Sequence, residues 1–140
     1  MSELQDPERA TRHESRAANT YHAFLKDLER IGEMPKELAE RAAVAVLSVL
    51  ERRIFPSGAR HLEAQLPSKL RDLLTHLSQR KFGRAAFFQM VADELSMDPQ
   101  QVEPLVRAVF RAVRFKISDG EARDVAAELP KDLAELWLHP

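Results

Sequence analysis

Ala59-Arg60-His61-Leu62-Glu63-Ala64-Gln65-Leu66-Pro67 and Ala122-Arg123-Asp124-Val125-Ala126-Ala127-Glu128-Leu129-Pro130 read as one stretch written twice, 63 residues apart. The register extends outward from this block in both directions. Ala23-Phe24 falls on Ala86-Phe87, Met34 on Met97, Ala45-Val46 on Ala108-Val109, Ile54 on Ile117, Leu70 on Leu133 and Leu73 on Leu136. Pairing Tyr21 to Leu77 with Arg84 to Pro140 without a gap gives fifteen identities in fifty-seven pairs, several times what average composition supplies by chance. Within the block, small residues let a short helix approach a neighbour closely. Val125 and Leu129 share its inward face at i and i+4, and the proline ends it and opens the next helix. The charged residues Glu121, Arg123, Asp124 and Glu128 read as caps, dipole partners and solvated positions. Repetition at equivalent positions marks the block as architecture.

The flanking segments predict helices only. Phe24, Leu25, Leu28 and Ile31 recur at helical spacing, and Gly32 stands where a left-handed cap residue is wanted. After Pro35, the positions Ala39, Ala42, Ala43, Val46, Leu47, Leu50 and Ile54 form a long apolar face. A short helix from about Ala59 follows, and a fourth helix starts at Pro67 and carries Leu70, Leu73, Leu74 and Leu77. The second copy is punctuated more sharply, with Asp98-Pro99 as an N-cap before proline and Ser118-Asp119-Gly120-Glu121 at capping-box spacing. No window alternates apolar and polar residues over strand length. The expected fold is all-α: two tandem four-helix repeats, about 19–78 and 83–140, packed as one pseudo-symmetric helical domain. Residues 1–18, charged and aperiodic, are expected to form a mobile tail, and Ser78 to Gly83 a linker.

Composition removes several functional classes. With 21 basic and 22 acidic residues the formal charge is −1, which disfavours a general polyanion binder. The absence of cysteine excludes disulfides, thiolate metal sites and cysteine nucleophiles together. The N-terminus lacks an apolar h-region, and the longest apolar run, Ala42 to Leu47, is far short of the ~20 residues of a membrane helix. A cytoplasmic protein with no membrane partner is expected.

Taken together, the pattern around Phe24-Leu25, the apolar second helix, the Gly120 to Pro130 block and the leucine-rich segment ending in Trp137 resemble a prokaryotic family known only as domain of unknown function number 2267. The resemblance covers about Tyr21 to Trp137. It implies a small, internally duplicated helical protein without an established activity, and carries over no catalytic or binding residues.

If shared features are scaffold, function is sought where the copies differ. On the sixth helix Arg107, Arg111 and Arg114 occupy i, i+4 and i+7, with Lys116 beyond, where the second helix has Val44, Ser48 and Glu51. Such a stripe could bind phosphates or an acidic partner helix through bidentate guanidinium contacts; the competing reading is a solvated face paired to glutamates. Arg80, Lys81 and Arg84 around Phe82 form a second candidate contact region. Phe82, Trp137 and Leu138 are large residues near a linker or terminus, and their exposure would mark an interface. The histidines His13, His22, His61, His76 and His139 form no ligand pair, and the repeat-equivalent His76 and His139 read as helix-end positions. No metal or cofactor is therefore expected. There is no Gly-x-Ser-x-Gly and no glycine-rich phosphate loop among four glycines, so no catalytic residue is named. Nucleic acid is disfavoured for want of a recognition helix or aromatic platform. The expectation is a non-enzymatic interaction module, accessory or stress-associated, that binds a protein partner or itself. The alternative is a carrier or sensor holding an apolar acidic small molecule between the repeats.

Overall fold

The computed structural model describes the backbone of residues 7–140 and the side chains from Thr20 onward. Among the described residues the fold is all-α: α1 Pro7–Gly32, α2 Lys36–Arg53, α3 Pro56–Ala64, α4 Ser68–Leu73, α5 Arg84–Leu95, α6 Pro99–Lys116, α7 Asp119–Ala127 and α8 Lys131–Leu138. No described helix is long and apolar enough to cross a membrane. The tail expectation falls partly on residues 1–6, outside the described residues. Its remainder lies on the opening turns of α1, whose side chains before Thr20 are likewise outside them.

Helices α2 and α6 form the centre because each buries a broad apolar face. Ala39, Ala42, Ala43, Val46, Leu47 and Leu50 of α2 are fully buried, as are Val102, Val106, Val109, Phe110 and Val113 of α6. They pack on each other; α1 lies across α6, α5 lies across α2, and α3 meets α7. The contacts thus cross between the two halves of the chain.

The left-handed residue that ends α1 is Glu33, at φ 49°, and not Gly32 as the glycine suggested. Met34 N–H then closes back on Glu29 O at 3.1 Å, the pattern of a Schellman motif. Gly32 serves packing instead: a Cβ there would run into the Met34 methyl and lie 3.0 Å from Ala108 Cβ on α6. The same closure ends α5, where Ser96 is at φ 54° and Met97 N–H reaches Ala92 O at 3.0 Å.

The fourth helix is shorter than its leucines predict. α4 stops at Leu73, and residues 74–83 run as a non-helical strap. The reason is competition from α2 for the strap's backbone groups. Thr75 N–H donates to Ser48 Oγ (2.9 Å), Arg52 Nε to Ser78 O (3.1 Å) and Arg53 Nε to Phe82 O (2.9 Å), while Arg80 N–H donates to Arg52 O (2.8 Å). The expected linker is therefore tied down along the second helix.

Caps are exchanged between the halves. Ser118 caps α7 by accepting from Glu121 N–H at 3.1 Å, but the reciprocal arm of the expected capping box is replaced: Ser118 N–H donates to Gln65 Oε1 at 2.8 Å. At the start of α3, Phe55 N–H donates to Glu128 Oε1 at 2.9 Å. Gly58 leaves room for this, since a Cβ there would collide with the Glu128 carboxylate. The equivalent positions Gln65 and Glu128 of the repeated block act as caps across the interface.

Trp137 corrects an expectation: it is fully buried and not an exposed edge. Its ring stands edge-on to Phe110 at 5.1 Å, and its indole N–H donates to Ala122 O at 2.8 Å, so both its apolar body and its polar tip are satisfied inside. Phe82 is half-buried against Phe87, and Leu138 is also partly covered.

Candidate functional site

Three chemistry-bearing side chains converge at one end of α2. Glu51 lies in the last turns of α2, Glu63 on α3 and His76 on the strap. Their ligating atoms all lie within 4.8 Å of one another. His76 Nε2 is 2.7 Å from Glu63 Oε1 and 3.9 Å from Glu51 Oε1. The Thr75 to Ser48 hydrogen bond fixes the backbone one residue before His76 and so sets the approach of its ring.

Burial differs sharply across the trio. The Glu51 side chain is 4% exposed, Glu63 14% and His76 65%. Neither oxygen of Glu51 has a hydrogen-bond partner. Burial, and next the facing Glu63 carboxylate, push the Glu51 carboxyl up to about 8. A carboxyl without partners in low dielectric holds its proton because desolvation penalises the charged form. The trio opens into a cleft of about 420 Å³, whose walls also include Ile54, Ala59 and Thr75, with Arg52 and Arg60 alongside. The site thus combines a protonated acid at its base, a carboxylate on its wall and an imidazole at its mouth.

The second half of the chain has no such trio. Arg114, Ala126 and His139 stand at the positions 63 residues on. Arg114 instead donates to Trp137 O at 3.0 Å and Leu138 O at 3.1 Å, closing the C-terminal end of α8. His139 is the C-cap of α8, a helix-end position as expected, whereas His76 sits beyond the early end of α4 in the strap.

The structure disperses the arginine stripe proposed from sequence. Arg107 faces Glu103 at 3.8 Å, Arg114 is spent on the α8 carbonyls, Lys116 lies 3.5 Å from Asp27 of α1, and Arg111 is exposed. In the second predicted region, Arg84 pairs with Glu103 at 2.9 Å and stacks over Phe88 at 5.4 Å. Arg80 and Lys81 are exposed, and Phe82 turns inward. Arg80 and Lys81 border a surface opening of about 520 Å³ that also includes Arg53 and Glu128, apart from the cations of α6. Glu51 and Glu63 were missed as site residues because they resemble ordinary helix-surface acids, and the partner that makes them distinctive comes from a segment read as helix. The usable signal was the Glu51 to Arg114 difference between copies, which was read from its arginine side.

Comparison with known proteins returns no match among curated proteins. The family model described as "Uncharacterized conserved protein (DUF2267)" matches residues 21–136, which span all eight helices except the opening of α1 and the end of α8. The chain belongs to that uncharacterised conserved family.

Proposed function

We propose that the chain is a non-enzymatic binding module of two tandem four-helix units, about 19–78 and 83–140, and that it takes a small ligand in the cleft of the first unit. The duplication is supported by α2 and α6, and by α3 and α7, which start and end at positions 63 apart. The left-handed residues Glu33 and Ser96 share the same offset. So do the exchanged caps, Phe55 to Glu128 and Ser118 to Gln65, as a pseudo-two-fold arrangement requires.

The ligand reading rests on one observation: Glu51 is buried at the base of a cleft with no partner for either oxygen. Such a group weakens the fold unless something else satisfies it, and departures of this kind concentrate at functional sites. Binding is favoured over turnover because the chain offers neither a thiol nucleophile nor a glycine-rich loop. Native mass spectrometry of freshly purified protein tests the reading. One small adduct per chain is expected, absent from Glu51→Leu; a bare mass in both proteins contradicts it.

A second reading is association with a protein partner or a second copy. Leu73 and Leu77 are 45% and 46% exposed beside a groove of about 350 Å³ that also includes Val44, Val49 and Leu95. Exposed apolar residues of this size can mark an interface. In the same spectra, a doubled mass supports this reading.

A further inference from the structure

Resting on the proposed ligand site, we infer that Glu51, Glu63 and His76 hold a divalent first-row cation of the zinc class, once per chain. Three features of the trio fit a cation better than an organic ligand. The first is spacing. Ligand atoms bonded to tetrahedral zinc at ~2.0–2.1 Å sit ~3.3 Å apart, and the 2.7 Å and 3.9 Å separations of His76 Nε2 from the two carboxylates bracket that value. Small side-chain adjustments would equalise them.

Donor chemistry comes second. One imidazole nitrogen with two carboxylate oxygens suits zinc, manganese or iron, whereas magnesium and calcium prefer oxygen alone. Third is the state of Glu51. Its two oxygens are buried and unpartnered, and one of them lies within 4.8 Å of both other donor atoms. A cation there satisfies the orphaned group, and no apolar ligand could. With three protein donors, at least one coordination position remains open toward the cleft, as in zinc sites that bind water or an exogenous ligand.

The three donors come from α2, α3 and the strap, so the cation would join three elements. In the second unit the same three positions hold a guanidinium, a methyl and an imidazole, which cannot form the site.

Isothermal titration of the metal-stripped full chain with Zn²⁺ tests the inference. One high-affinity Zn²⁺ per chain is expected. Glu51→Gln and His76→Ala should each weaken it by at least about 100-fold, the upper end of what loss of even an outer partner of a ligand costs. His139→Ala and His61→Ala should leave it unchanged. Because Glu51→Gln keeps size and removes only the capacity to ionise and ligate as a carboxylate, its fold is expected to be intact, and circular dichroism checks this. Absence of Zn²⁺ binding, or binding unaltered in Glu51→Gln, overturns the cation assignment. If Zn²⁺ fails to bind while an adduct that Glu51→Leu lacks still appears in native spectra, the cation is wrong and the small-ligand cleft stands. If neither appears, both fall.

Discussion

Glu51 carries an unfavourable term in the folded chain, and that makes it the most informative single residue. A buried carboxyl with no partner costs about 1–3 kcal/mol relative to an apolar side chain of similar size. In metal-free protein Glu51→Leu is therefore expected to raise the unfolding free energy by about that amount, read as an increased urea midpoint. The folded state holds the Glu51 proton up to about 8, against an ordinary value of 4.5, so between these values the native chain binds more protons than the unfolded chain. Stability then falls as pH rises through that window and levels off above it. Burial raises the Glu121 carboxyl too, and it acts in the same direction. Urea midpoints of the metal-free protein should drop between pH 5 and pH 9, and Glu51→Gln should lose most of the drop; a flat wild-type profile contradicts the burial of Glu51. None of this was legible at residue level in the sequence, where Glu51 is one acid among many. Trp137 was misread for a related reason: nearness to a chain end says nothing about whether Phe110 and the Ala122 carbonyl await the indole inside.

Among elements, the legible ones are those whose determinants are local. The apolar runs of α2 and α6, the Asp98 cap with its 2.8 Å bond to Gln100 N–H, and the short block helices all follow from nearby residues. The strap was illegible because its competitor is remote in sequence: Ser48, Arg52 and Arg53 claim backbone groups that a longer α4 would have kept for itself. For the same reason the exchanged caps could not be read from the capping-box spacing alone. They predict that Glu128→Ala and Gln65→Ala each destabilise the protein by about 1 kcal/mol, the usual cost of losing a cap. Glu128→Ala should be the costlier, because its bond to Phe55 N–H is charge-assisted. Thermal melts of the two variants check the order; no effect from either removes the caps from the account.

For the whole molecule, the cross-packing of α1 on α6 and α5 on α2 makes each half incomplete without the other. A fragment of residues 1–78 leaves the apolar faces of α1 and α2 without their covers, and circular dichroism is expected to show it largely unfolded. In the full chain, fluorescence of the single tryptophan, Trp137, should report the same unfolding transition as far-UV dichroism. Separate transitions would instead make the halves independent. Helical periodicity and capping signals foretold an all-helical fold, and the family match spans residues 21–136. The 63-residue sequence repeat did not point to the proposed site, because that site falls where the two copies differ: two glutamates and a histidine in one, an arginine closing a helix end in the other. Anomalous scattering from crystals grown with Zn²⁺ tests that asymmetry most directly. One strong peak is expected, bounded by Glu51, Glu63 and His76, and none beside Arg114 and His139; peaks confined to surface histidines, or none, would contradict the cation assignment.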